Sequence, residues 1–204
     1  MIERPPALFR LTVPWGVFRR KGARQTVYLT FDDGPIPEVT PWVLRTIDCY
    51  CVKATFFMVG DNARRYPGLL QDVMARGHAI GNHTMHHLNG AVVDSKRYVA
   101  DIMEADHILH TPLFRPPHGW LRPRQARALR GRFCMVMYDL VTRDYSSRLT
   151  ADNVYDNVRR LARPGSIIVF HDSLRSWPRL QDALPRSIEW LLKEGYSFDV
   201  LKNL

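Results

Sequence analysis

Along the 204 residues of this chain, short apolar runs alternate with longer stretches in which apolar side chains recur every three or four positions. Thr26–Phe31 alternates, is rich in β-formers, and stops at Asp32-Asp33-Gly34-Pro35, which predicts a strand followed by a sharp turn. Val43, Leu44, Ile47 and Tyr50 fall on one face of a helix over Val39–Tyr50, with Pro41 tolerated in its first turn. Ala54–Val59 predicts the next strand and Gly60-Asp61-Asn62 its loop. Pro67–Arg76 is helical in pattern and halted by Gly77, and His78–Asn82 is a short strand. Asp94 or Ser95 can cap a helix through Tyr98, Ile102, Ala105 and Leu109. Leu113-Phe114 predicts a strand, Arg124–Arg130 a basic helix, Phe133–Leu140 a strand and Asn153–Leu161 a helix. Pro164-Gly165 turns the chain into a buried strand at Ser166–Phe170. A helix over Leu180–Lys193, kinked or divided by Pro185, and a strand at Phe198–Leu201 complete the pattern.

Strand–helix alternation of this kind implies an α/β fold with a parallel sheet. About seven strands in one domain favour a small, distorted (β/α) barrel over an open sheet. The length supports one sizeable core and not two ordinary domains. With 46% apolar and 24% charged residues the composition is that of a soluble globular protein, and no run approaches the ~18 apolar residues of a membrane helix.

Residues 1–25 carry Arg4, Arg10, Arg19, Arg20 and Lys21 between Pro5, Pro6 and Pro14, so they lack the unbroken apolar stretch of a secretory signal. Either the chain stays in the cytoplasm or a leader preceded it. Packing of this arm, with Trp15 and Phe18, against a main domain at 26–204 is the favoured reading; a membrane-surface or envelope-associated role is the alternative. The cysteines Cys49, Cys51 and Cys134 are odd in number and lack knuckle spacing, so they read as reduced structural thiols. A net charge of +9 attracts polyanions, but the basic residues are scattered and not interleaved with aromatics, so no nucleic-acid partner is expected. An anionic glycan or a membrane surface would serve the charge equally well.

Ionisable residues recur where the apolar strands stop: Asp32-Asp33 after Phe31, Asn82-His83 after Ile80, Arg115 after Phe114, and His171-Asp172 after Phe170. In α/β barrels the active site is built at the carboxyl ends of the strands. His83 and His87 are four apart, so on one helical turn both imidazoles would project to the same side, and two histidines with a carboxylate form a catalytic zinc pattern. Surface histidines are the plain alternative. Adjacent carboxylates at Asp32-Asp33 repel, which favours a nearby cation, although Asp-Asp-Gly-Pro is also good turn chemistry by itself.

Five segments then resemble, in order, the signatures of the polysaccharide deacetylases, the carbohydrate esterase group (family 4, with its NodB-homology domain) that includes chitin and peptidoglycan deacetylases. They are Thr30-Phe31-Asp32-Asp33-Gly34, His83-Thr84-Met85-His86-His87, Arg115-Pro116-Pro117, Asp144-Tyr145 and Val169-Phe170-His171-Asp172. Together they span most of the chain. The resemblance implies one divalent metal, zinc with cobalt or nickel as alternatives, held by Asp33, His83 and His87. It implies Asp32 as general base, Arg115 orienting Asp32 and holding it ionised, and His171 as the acid that protonates the departing amine, tuned by Asp144. The backbone N–H of His118 would share in stabilising the oxyanion. Asp139 is a nearby competitor for the place of Asp144, and a surface salt bridge is the alternative for Arg115. Trp120 is the candidate platform for a sugar ring. His118 stands where the family usually has an aromatic, and Tyr145 where it has Trp, which puts substrate preference in question more than activity. The expected partner is an N-acetylated glycan of chitooligosaccharide or peptidoglycan type. A metal-dependent amidase on a small N-acyl compound and a catalytically silent glycan-binding module are the rivals.

Overall fold

The central strand β1 (Thr26–Asp32) shows how the sequence divides the molecule. Val27, Leu29 and Phe31 pack in one cluster with the helices, whereas Tyr28 joins a second cluster with Phe57, Leu113, Val136, Ile167 and Leu201. A period of two puts alternate side chains on opposite faces, and here both faces are buried. In this computed structural model, which describes residues 3–13, 15–22 and 24–202, the elements follow in the order α1 (Ala7–Thr12), β1, α2 (Thr40–Cys49), β2 (Thr55–Met58), α3 (Gly60–Arg65), α4 (Pro67–Ala75), β3 (Ala79–Asn82) and α5 (Ser95–Leu109). They continue with β4 (Leu113–Phe114), α6 (Pro123–Leu129), β5 (Cys134–Met135), β6 (Leu140–Val141), α7 (Ala151–Leu161), β7 (Ile167–His171), α8 (Trp177–Lys193) and β8 (Ser197–Phe198).

Seven strands run parallel in the order β5-β4-β3-β2-β1-β7-β6, with β8 pairing beside β1. Laid flat, seven strands would separate β5 from β6 by ~29 Å at the usual strand spacing. Yet only residues 136–139 join those two strands, a reach of at most ~18 Å. The sheet must therefore curl until its edges approach, which gives the distorted (β/α) barrel expected from the alternation. Among the described residues no ladder joins β5 to β6 directly; Val17 of the amino-terminal arm exchanges backbone hydrogen bonds with Met135 (2.8 Å) and Met137 (2.9 Å) at the β5 edge.

Several local expectations are corrected. Gly60-Asp61-Asn62 is the first turn of α3 and not a loop, because the Gly60 and Asp61 N–H groups donate to the carbonyls of Thr84 (2.9 Å) and Met85 (3.0 Å). Phe133–Leu140 is not one strand: the Val136 and Met137 carbonyls accept from the Arg115 guanidinium (3.3 and 3.1 Å), which takes them out of the ladder. The last strand shortens to Ser197–Phe198, and Leu201 N–H donates to Thr55 Oγ1. Pro185 sits inside α8 without dividing it, and Asp94, not Ser95, is the cap of α5, accepting from Lys96 and Arg97 N–H.

Within the amino-terminal arm, Phe18 is buried, Val17 bridges Val136, and Arg19 bridges Ser166. Arg10 reaches Asp139 at 3.3 Å. Pro14, one of the prolines that break up this arm, lies outside the described residues. Among the described residues no helix is long and apolar enough to cross a membrane.

Candidate metal and catalytic site

The carboxyl ends of β1, β3, β4 and β7 converge on one cavity of about 160 Å³ whose lining includes Asp32, Asp33, His83, His87, Arg115, His118, Tyr145 and His171. The register explains the convergence. Asp32 sits beside His171 across the β1–β7 ladder, and Asn82 pairs with Phe114, so the residues following each strand emerge at one rim.

Two side chains of β1 and its turn face different partners. Arg115 Nη1 donates to Asp32 Oδ1 at 2.6 Å and to Thr30 Oγ1 at 2.8 Å, and its guanidinium carbon lies 4.0 Å from the centre of the Phe57 ring. Both Arg115 and Asp32 are buried, so the pair is dry and directional rather than a surface salt bridge. Asp33 adopts a positive φ of 84°, which swings its carboxylate away from that of Asp32 and toward the histidines. Its Oδ1 lies 3.1 Å from His87 Nε2 and 3.7 Å from His83 Nε2.

The two histidines do not share a helical turn, contrary to the simplest reading of their spacing. Residues 83–87 form a loop with left-handed backbone at Thr84 and His87, and that reversal is what brings both rings to one side. The loop is pinned from below. Asn82 Oδ1 accepts Thr84 N–H, while Asp101 on α5 accepts the N–H groups of Met85 (2.8 Å) and His86 (3.1 Å) and the His86 ring Nδ1–H (2.6 Å).

Asp33, His83 and His87 offer ligand atoms all within 4.8 Å of one another, one carboxylate and two imidazoles. The donor set suits a borderline divalent ion. His83 Nδ1–H donates to the Arg115 carbonyl at 2.8 Å, which fixes the tautomer and leaves Nε2 as an open lone pair beside Asp33. Burial lowers the His83 pKa to about 4, so the ring is neutral, as a ligand must be. Burial pushes Asp33 upward, but the His87 hydrogen bond and the charge of His171 outweigh it and hold the carboxyl well below its usual range.

At the end of β7, beside Asp32, His171 Nδ1–H donates to Asp144 Oδ1 at 2.7 Å, and the same carboxylate accepts the His171 backbone N–H at 2.8 Å. Burial alone would lower the His171 pKa; the charge and hydrogen bond of Asp144 reverse this and raise it to about 9. Asp139, the competing carboxylate, is instead held by Arg163 (2.9 Å) and Ser166 (2.8 Å). Tyr145 stands edge-on to His171 with ring centres 4.9 Å apart, and His118 edge-on to His87 at 4.8 Å, with positive φ (60°) at His118. Trp120 does not line the cavity; it is 47% exposed and packs edge-on against Phe9, 5.1 Å between centres.

The sequence profile of the polysaccharide deacetylases matches residues 19–130, more than half of the chain. The chain belongs to the polysaccharide deacetylase family. It is accordingly an enzyme that hydrolyses carbon–nitrogen bonds in linear amides. This polysaccharide deacetylase is 36% identical over 188 residues to a peptidoglycan-N-acetylglucosamine deacetylase of Bacillus cereus, covering 87% of this chain and 67% of the relative. It is 33% identical over 155 residues to a chitooligosaccharide deacetylase of Rhizobium leguminosarum bv. trifolii, covering 72% of each. A crystal structure of a peptidoglycan N-acetylglucosamine deacetylase in complex with 4-naphthalen-1-yl-N-oxidanyl-benzamide superposes with a TM-score of 0.88 at 31% identity, covering 97% of this chain and 95% of that one.

Two residues of this deacetylase went without a role in the sequence reading. Asp172 accepts Gly34 N–H (3.1 Å) and the Thr40 hydroxyl (2.6 Å), and so braces the turn that carries Asp33. A Cβ on Gly34 would stand 2.0 Å from the Asp172 carboxylate, which is why the turn holds glycine there. Asp172 follows His171 directly in the sequence, so a signal for it is present there. Asp101, mid-helix on α5, carried no signal, because its partners lie fifteen residues and more away.

Proposed function

We propose that this deacetylase removes N-acetyl groups from N-acetylated sugars in a glycan of the peptidoglycan or chitooligosaccharide type. The observation that carries this reading is the gathering around one small cavity of the buried Arg115–Asp32 pair, the Asp144–His171 pair and the Asp33, His83 and His87 ligand set. The names of the relatives supply the substrate class.

In this reading Asp33, His83 and His87 hold a divalent cation, zinc with cobalt or nickel as alternatives. Bound there, the cation supplies a water of lowered pKa and a positive charge for the amide carbonyl. Asp32, fixed by Arg115, accepts the proton of the attacking water. The His118 backbone N–H donates to the oxygen on which negative charge develops. His171, kept protonated by Asp144, delivers its proton to the departing amine nitrogen, which leaves poorly otherwise. His118 and Tyr145 form walls against the sugar, and Trp120, outside the cavity, serves a neighbouring unit of the polymer. Residues 26–204 constitute the catalytic domain and 1–25 an extension packed on it, a division supported by the buried Phe18 and the Val17–Val136 bridge.

The test is acetate release from N-acetylglucosamine oligomers and from peptidoglycan, with protein stripped of metal and reloaded with zinc or cobalt. Release should require metal, and Asp32→Asn should bind the metal yet turn over on the order of 10²–10⁴-fold more slowly. Full activity of that variant would remove Asp32 as the base. No release from any glycan by metal-loaded protein would turn the reading toward a small-molecule amidase.

A further inference from the structure

Two guanidinium groups line the catalytic cavity, and they are in opposite circumstances. Arg115 is buried and fully engaged by Asp32, Thr30 and two carbonyls. Arg175 is exposed, on the loop between β7 and α8, four residues beyond His171. Its Nε–H donates to the Tyr145 carbonyl at 3.0 Å, and its guanidinium carbon lies 5.8 Å from the centre of the Tyr145 ring. Its own carbonyl accepts from Arg179 Nη2, which ties the loop to α8. Among the described residues no carboxylate lies within ion-pair distance of Arg175, whereas other arginines of this chain have one: Arg143 has Glu3, Arg163 has Asp139, and Arg186 has Asp152 and Asp182.

The arrangement orders the guanidinium through its Nε and leaves both terminal nitrogens, a planar fork of donors, without an anion. Ordering a long side chain costs conformational entropy, and a fork of this geometry matches a carboxylate with two parallel hydrogen bonds. The cavity is small, about 160 Å³, and Arg175 is part of its lining, so a polymer unit too large to enter whole would leave its neighbouring sugar within reach of Arg175.

We propose that Arg175 is a specificity residue that recognises a carboxylate on the sugar next to the one being deacetylated, so that the enzyme prefers glycan strands bearing free acidic substituents over neutral ones. An ether-linked carboxylate on alternate sugars, as in peptidoglycan strands freed of their peptides, has the required chemistry. The inference rests on the glycan reading above and narrows it. It also gives the net charge of +9 a local use at the mouth of the site.

The experiment compares kcat/KM for acetate release from peptide-free peptidoglycan strands and from the same strands with their carboxylates converted to methyl esters. For the metal-loaded wild type the ratio should be about tenfold in favour of the free acid, and it should shrink at high salt. Arg175→Gln should bring the ratio to about one, and Arg175→Lys should restore part of it, since the charge returns without the fork. A wild-type ratio of one, or a ratio unchanged in Arg175→Gln, overturns the proposal while the deacetylase reading stands. Absence of release from both strands and from N-acetylglucosamine oligomers overturns the glycan reading and this inference with it.

Discussion

At the scale of single residues, environment decides role more than residue type does. Asp139 and Asp144 are five positions apart, both buried, and either is acidic enough to partner a histidine. Asp139 is surrounded by Arg163, Arg10 and the Ser166 hydroxyl, so it serves as a structural counter-ion. Asp144 meets the two N–H groups of His171, and its charge keeps that ring protonated well above the pH at which a free imidazole loses its proton. Replacing Asp144 with Asn should let burial dominate and lower the His171 pKa. Turnover should drop on the order of 10²-fold, and the alkaline limb of the pH–rate profile should move to lower pH, because the acid is then lost sooner. A pH–rate profile of metal-loaded Asp144→Asn reads this directly, and an unshifted limb would mean that another group delivers the proton.

At the scale of elements, loops of the site are held by carboxylates that reach them from outside the motifs. Asp101 on α5 gathers three donors of the 83–87 loop, and Asp172 braces the turn of Asp33 and Gly34. Both segments that carry the proposed ligands have residues of positive φ, Asp33, Thr84 and His87, which are costly for side chains other than glycine and persist because these braces over-determine them. Asp101→Ala should therefore weaken metal affinity by roughly 10–100-fold, the usual effect of losing an outer support of a ligand, while kcat at saturating metal changes little. Titration with zinc checks it. Unchanged affinity would show that the hydrogen bonds from Thr84 N–H to Asn82 and from Leu88 N–H to the Thr84 hydroxyl hold the loop unaided.

For the whole molecule, the crowding of the site's charges sets how stability follows pH. Burial drives Asp172 up to about 8, with the Asp33 charge adding to it, and Asp144 raises His171 to about 9. A group whose folded pKa is raised binds its proton more tightly when folded, so its contribution is present at low pH and is lost as pH rises through the folded value. Between the ordinary imidazole pKa of ~6.5 and about 8 both groups act in that direction, and from about 8 to about 9 His171 acts alone. Metal-free protein should accordingly show a urea midpoint that falls across this range, and His171→Gln should flatten the fall. A midpoint that rises from neutral to alkaline pH would refute the assignment of the charged imidazole.

Local chemistry was legible in the sequence because it is local. Apolar alternation gives way to Asp32-Asp33, His83, Arg115 and His171 at the ends of buried runs, and a parallel α/β sheet sends those ends to one side, whatever its curvature. Helix α2 likewise followed from Val43, Leu44 and Ile47, all of which are buried. Tertiary structure alone decided the rest. Phe133–Leu140 has the composition of a strand, yet it breaks because Arg115, contributed by a separate strand end, claims two of its carbonyls. The spacing of His83 and His87 fits a helical turn, yet α5 supplies Asp101 to stabilise a different backbone. The choice of Asp144 over Asp139, the bracing by Asp172 and the unpaired fork of Arg175 depend on which distant side chains the curled sheet brings within 3 Å. Residue periodicity carries one element's preference for burial; it carries nothing about the partner that arrives from another element.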